Sequence, residues 1–211
     1  MYSCRSRTQI LSVILVPAVS FFSLACRVSS STPESVVAHG PIAKFSVPSN
    51  WYPYDSSGLD GPASAALAFR GPEPGSWLTL NQVRRPGQTA SKAFLDILGK
   101  APHALTSAEL DSIEAIANLK KDNNGWPIQV KDARTGTRSG KPALIITTEN
   151  EFYGCSRSAD VNGTHRNLAL YFSGDQTGSL IEVIDFSTMA RDFDQLSGGF
   201  QTATNSIEWK H

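Results

Sequence analysis

The sequence predicts an α+β domain: an antiparallel sheet of about six to seven strands with helices packed on it. Three observations lead there. Apolar residues alternate with polar ones in short segments from Ala43 onward, they recur at helical spacing between Phe94 and Ala117, and short turn sequences join the later strands. Consecutive strands joined by such turns run antiparallel, which makes a meander.

The chain first has to be separated from its leader. Arg5 and Arg7 precede an uncharged stretch whose centre, Ile10 to Leu24, is nearly all apolar. A basic start, an apolar middle and small residues at the end are the pattern of a signal peptide, expected to span residues 1–25. The run sits at the lower limit for crossing a bilayer of about 30 Å and Pro17 interrupts it, so an uncleaved anchor is the other outcome.

Ser23 and Ala25 place small side chains where a signal peptidase inspects them, and Ser23-Leu24-Ala25-Cys26 resembles a bacterial lipobox. It departs from that pattern in having Leu24 two residues before the cysteine and not three. The resemblance implies lipidation of Cys26, attachment to a membrane through that lipid, and an extracytoplasmic location in the cell envelope. Without acylation the product is a soluble periplasmic or secreted protein. Loss of Cys4 with the leader leaves Cys26 and Cys155, so Cys155 is either a lone thiol or the disulfide partner of Cys26.

Charge excludes one class of partner. Nineteen basic residues balance nineteen acidic ones and do not cluster, so there is no footprint for nucleic acid. Residues 26–42 are Ser-rich with little apolar content and read as a flexible tether, followed by a single α+β domain over 43–211.

In that domain Phe45 and Val47 alternate with polar neighbours before Pro48-Ser49-Asn50-Trp51. Ala65–Arg70 and Ser76–Arg84 are further strands, with Gly71-Pro72-Glu73-Pro74-Gly75 as a tight connection. In the third strand Leu78 and Leu80 share one face and Trp77, Thr79 and Val83 the other.

Phe94, Ile97, Leu98 and Ala101 fall on one helical face, with Thr89 or Ser91 as cap. Thr106-Ser107-Ala108-Glu109 is a capping box ahead of Leu110, Ile113, Ile116 and Ala117, and that helix should end before Asn123-Asn124-Gly125.

Four strands follow, near Pro127–Arg134, Lys141–Tyr153, His165–Ser173 and Ser179–Ser187. Asn162-Gly163 reads as a hairpin turn and Asp175-Gln176-Thr177-Gly178 as a four-residue turn. Leu168, Leu170 and Phe172 oppose Ala169 and Tyr171, so the central strands are apolar on both faces. A last helix from Ala190 to Asn205 presents Phe193, Leu196, Phe200, Ala203 and Ile207 as a stripe, weakened at Gly198-Gly199.

The segment Phe45-Ser46-Val47-Pro48-Ser49-Asn50-Trp51 resembles the opening of PsbP-like domains, as do Gly140-Lys141-Pro142-Ala143 on a meander strand and the Ser206-Ile207-Glu208-Trp209 ending. That resemblance spans Ala43 to Lys210 and implies a three-layer α/β/α sandwich, generally without a catalytic set. Photosynthetic members stabilise a metal cluster as an extrinsic subunit. No ligand residue carries over, because this chain has no matching metal motif.

The sharpest enzymatic arrangement is Cys155 as nucleophile, His165 as base and Asp160 as orienter, but no nucleophile signature surrounds Cys155 and a structural cysteine explains it equally. His39, His103, His165 and His211 are scattered, so no metal and no cofactor is expected and the histidines read as isolated surface residues. Ser156 and Ser158 lack a nucleophile elbow, and no Gly-rich phosphate loop occurs. Aromatics are more telling. Trp51, Tyr52 and Tyr54 cluster at the first turn and form the candidate binding surface; core packing is the expected use of most of the aromatics, with Tyr52 and Tyr54 beside Pro53 the ones expected to be exposed.

Two functions are therefore expected from the sequence. One is a non-enzymatic envelope lipoprotein that binds a protein partner or supports an assembly. The alternative is a small apolar-ligand carrier or minor hydrolase. A deep apolar cavity would favour the carrier, and a filled core with an exposed aromatic patch would favour the partner-binding domain.

Overall fold

The computed structural model describes residues 34–54, 67–122, 125–152 and 162–210, all within Ser31–His211. Cys26, Tyr153, Cys155, Asp160 and His211 lie outside the described residues, as do the leader and the first part of the tether.

Order begins earlier than Ala43. Strand β1 (Glu34–His39) pairs antiparallel with β2 (Ile42–Val47). Ile42, expected to end the tether, is 1% exposed and belongs to the core. The Ser-rich composition concealed this strand because its pairing comes from β2, through the turn at Gly40-Pro41, and not from its own apolar content. β10 (Glu208–Trp209) joins the other side of β2, making a three-stranded sheet the sequence did not announce.

The main sheet has seven antiparallel strands among the described residues. They are β3 (Tyr52–Tyr54), β4 (Leu67–Arg70), β5 (Trp77–Arg84), β6 (Ile128–Arg138), β7 (Lys141–Phe152), β8 (Gly163–Ser173) and β9 (Leu180–Met189), in the order β3-β4-β5-β9-β8-β7-β6. The meander β6 to β9 is the one expected, and it meets the β3–β5 unit along β5 and β9.

One turn differs from expectation. Gly163 is already in β8, opposite Phe152, so Asn162-Gly163 ends a longer connection and is not itself a two-residue turn. A two-residue hairpin turn occurs instead at Ser139-Gly140, with φ of 47° and 76°, between β6 and β7. The Asp175 turn holds as read: its carboxylate accepts hydrogen bonds from the Thr177 and Ser179 amides at 3.0 and 3.1 Å.

Alternation puts two apolar sets on opposite faces, and each is covered. Leu78, Leu80, Leu170, Phe172, Ile184 and Phe186 face one layer, formed by α4 (Phe193–Asn205) with Phe193, Leu196 and Phe200, together with Phe45 and Val47 of β2. Ile146, Leu144, Tyr171, Ile181 and Val183 face the other, formed by α1 (Gln88–Leu98), α2 (Ser107–Ser112) and α3 (Glu114–Ala117). The three-layer α/β/α arrangement follows from these two burials.

The helices deviate in detail. α1 starts at Gln88, after Gly87 and without a side-chain cap; Ser91 is buried inside it and donates to the Gly178 carbonyl at 2.9 Å. The Thr106–Glu109 capping box forms, but the helix it opens breaks at Ile113, whose side chain is fully buried, and resumes as α3. α4 begins at Phe193, later than Ala190.

Candidate functional site

The face of the sheet under α1–α3 is apolar except at one end, where β5, β9, β8 and β7 each bring a polar side chain to a cleft. Asn81, Asp185, Asn167 and Thr148 form its floor, and Asn118 and Asp122, from the chain after α3, stand opposite. The cleft holds about 300 Å³. Its walls are apolar, with Ala117, Leu119, Ile146 and Val183 among them.

Register fixes how the floor converges. Asp185 lies opposite Thr79 on β5 and Ala169 on β8, while Asn81 lies opposite Val183 and Asn167 opposite Ser187. The two asparagines therefore lie on opposite diagonals of Asp185, on the same face of the sheet but two strands and four residues apart from each other.

The hydrogen bonding leaves acceptors over. Asn81 Nδ2 donates to Thr79 Oγ1 at 3.0 Å, and the buried Asn81 Oδ1 has no partner among the described residues. Asn167 Nδ2 is shared between Thr148 Oγ1 at 3.5 Å and Asn150 Oδ1 at 3.3 Å. Asp122 is occupied, accepting from the Trp126 amide at 2.8 Å and from Asn150 Nδ2 at 3.2 Å.

Asp185 has neither an ion pair nor a hydrogen bond among the described residues. Although it keeps partial exposure to the cleft, desolvation by its surroundings pushes its carboxyl up to about 7. Tyr171, on the neighbouring strand, is raised above the usual phenol range by desolvation and then by the Asp185 charge. An unpaired acid titrating near neutrality can take up a proton, hold a cation or accept from N–H groups.

The residues singled out in the sequence lie elsewhere. Trp51 is 5% exposed and packs against Phe186, ring centroids 5.9 Å apart, so it has no surface to offer. Tyr52 is 65% exposed on β3, the strand that ends the sheet. Tyr54 is half-buried, its ring edge-on to Trp77 at 5.0 Å. Lipidation at Cys26 and the Cys155–Asp160 part of the enzymatic arrangement fall outside the described residues; the His165 ring lies tilted against that of Phe152, centroids 5.4 Å apart.

His39 and His103 are not isolated. His39 lies 3.3 Å from the buried Glu182 carboxylate, and His103 lies 3.1 Å from Glu109. A wider groove of about 500 Å³ runs beside the start of α1 between Arg85, Lys92 and Thr177, but Arg85 and Lys92 are exposed and Lys92 is paired with Asp96 at 2.6 Å.

No family model and no curated protein matches the sequence. Among solved structures, the chain is similar to the solution structure of cyanobacterial PsbP (CyanoP) from Synechocystis sp. PCC 6803, at 12% identity and a TM-score of 0.49, over 87% of this chain and 96% of that one. PsbP-like domains are the family that the Phe45–Trp51 segment resembles.

Asn81, Asn167, Tyr171 and Asp185 were not among the candidates from sequence. The available signal was Asp185 itself, an acid between Ile184 and Phe186 in a strand whose two faces both read as covered.

Proposed function

We propose that this chain is an exported accessory domain without catalytic activity, tethered to a membrane through lipid on Cys26, which binds a protein partner or supports an assembly in the cell envelope. The observation that carries this reading is Tyr52. It projects at 65% exposure from the terminal strand of the sheet, between a buried Trp51 and a Tyr54 held against Trp77. An aromatic side chain presented to solvent from a backbone anchored on both sides suits a partner contact, because little freedom remains to be lost on binding.

The core supports the same choice. Phe45, Phe94, Phe172 and Phe186 are all at 1% exposure or less, and the cleft that remains has a polar floor, unlike the deep apolar cavity an apolar-ligand carrier needs.

The test is expression with the native N-terminus, intact-mass measurement of the product, and cross-linking in the membrane fraction for wild type and Tyr52→Ala. The expected result is a diacylglyceryl mass increment on a chain beginning at Cys26, and loss of one cross-linked partner in Tyr52→Ala with an unchanged melting temperature. A full-length unmodified polypeptide dissolved in the cell interior, or a Tyr52→Ala variant that unfolds with its cross-links intact, contradicts it.

A second reading, carriage of a small molecule, has one specific observation in its favour, the unpaired Asp185 at the cleft floor.

A further inference from the structure

We propose that the contact between His39 and Glu182 is a proton-held latch, which fastens β1 to the main sheet in mildly acidic solution and lets the strand go as the solution becomes alkaline. The latch stands independently of Tyr52 and of the lipid anchor.

Strand pairing leaves β1 weakly held. It is the outer strand of the three-stranded sheet, and among the described residues its backbone pairs with β2. An outer strand with one neighbour opens at lower cost than the sheet it lies beside. It meets the main sheet at its last residue, where His39 Nδ1 lies 3.3 Å from Glu182 Oε2. Gly40 continues the contact, its left-handed backbone running so close that a Cβ there would meet both Gln82 and Glu182.

Glu182 is the unusual partner. It stands in the main sheet level with Gln82 on β5 and Phe172 on β8, on the face that carries the α4 core, and is 1% exposed. Its carboxylate accepts from Gln82 Nε2 at 2.5 Å, and Gln82 Oε1 accepts in turn from Arg84. From β8 it faces Phe172, which does not titrate, and the charged or titratable groups acting on it are His39 and the exposed Arg84.

A buried carboxylate is costly without a cation beside it. With one proton on the pair, either the acid is neutral or the imidazole is cationic, and the contact buries no net charge. Loss of that proton leaves an ionised carboxyl out of water beside a neutral ring. Burial accordingly holds the Glu182 carboxyl above its usual range, against the pull of Gln82, His39 and Arg84. The closed strand therefore binds the proton more tightly than the open one, in which both groups meet water. Closure is favoured in acid and weakens as pH rises above the ordinary carboxyl range, and an imidazole carries the change into the interval between about pH 5 and 8.

Release of the six residues of β1, at about 3.3 Å each, adds about 20 Å of chain ahead of the domain and bares the backbone edge of β2. With the N-terminus held at a membrane, acidity then sets how far the body stands from it. That consequence rests on the anchored reading, and the latch does not.

The experiment is amide hydrogen exchange of the full chain from pH 5.5 to 8, with rates corrected for intrinsic exchange and the Leu170 and Phe172 amides of β8 as the reference for opening of the whole domain. The expected result is that protection of the β1 amides falls about tenfold across this range, by more than that of β8. Glu182→Gln, neutral and of the same shape, should keep at pH 8 the β1 protection that the wild type has at pH 5.5. His39→Asn, whose folding is checked by its β8 protection, should show at pH 5.5 the weak β1 protection that the wild type has at pH 8. Constant β1 protection in the wild type, an equal fall in Glu182→Gln, a wild-type profile in His39→Asn, or parallel falls in β1 and β8 overturns the latch.

Discussion

His39 Nδ1 lies 3.3 Å from the carboxylate of Glu182, a side chain only 1% exposed, and Gln82 donates to the other carboxylate oxygen. The contact fastens the end of β1 to the centre of the main sheet. Gly40, next in the chain with φ of 54°, passes so close that a Cβ there would stand 2.2 Å from both Gln82 Nε2 and Glu182 Oε1.

Gly40→Ala should therefore cost about 2 to 3 kcal/mol, because the methyl must break the Glu182 hydrogen bonding as well as adopt a left-handed backbone. Gly140→Ala, at φ of 76° with nothing within 4 Å, meets the backbone strain alone and should cost about 1 kcal/mol. Urea denaturation of the two variants checks the contrast, and equal losses would refute the role given to Gly40.

Asp185 makes a prediction about stability. A carboxyl raised from its ordinary 3.8 to about 7 binds more protons in the folded chain than in the unfolded one, so stability falls as pH rises through that window and is flat above it. Glu182, raised by desolvation, acts in the same direction, whereas Glu109, Glu149 and Asp175 are lowered and matter only in more acidic solution. Asp185→Asn should remove most of the decline between pH 4.5 and 7 and stabilise the chain at pH 8 by about 2 to 4 kcal/mol. Melting temperatures across that range decide it; a wild type that gains stability over the window contradicts the sign.

At α2, Thr106 Oγ1 accepts from the Glu109 amide at 3.3 Å and the Glu109 carboxylate accepts from the Thr106 amide at 2.9 Å. Thr106→Ala should cost about 1 kcal/mol. Hydrogen exchange confined to residues 106–112 measures it, and an unchanged rate there counts against the cap.

The largest single loss belongs to Phe186, fully buried, with the rings of Phe193 and Phe200 each 5.3 Å away and Trp51 beyond them at 5.9 Å. Phe186→Ala should cost about 3 to 5 kcal/mol, against less than about 0.5 kcal/mol for Tyr52→Ala at the surface. Comparable costs would mean that Tyr52 is part of the core.

What could be read in the sequence follows from which elements carry their own signal. α4 and the central strands were legible because Phe193, Leu196 and Phe200, or Leu170 and Phe172, repeat at one period and all face one neighbour. The capping box was legible because both partners lie within four residues. β1 and β10 were not, since each is defined by pairing with β2 and neither has a period of its own. The site was least legible. Asn81, Asn167 and Asp185 are far apart in the chain, and only the register of β5, β9 and β8 puts them on one face of the sheet. The Tyr52 surface was read from its place beside Pro53, while Trp51 went to the core because a turn hydrogen bond from its amide to the Pro48 carbonyl, 3.0 Å long, directs it inward.

The claim on which the cleft depends is that Asp185 is an unpaired, desolvated acid, and the most direct measurement is a pH titration of its side-chain carboxyl carbon by NMR. The account predicts a single midpoint near 7. A midpoint near 4 would show a solvated or already paired carboxylate and would contradict it.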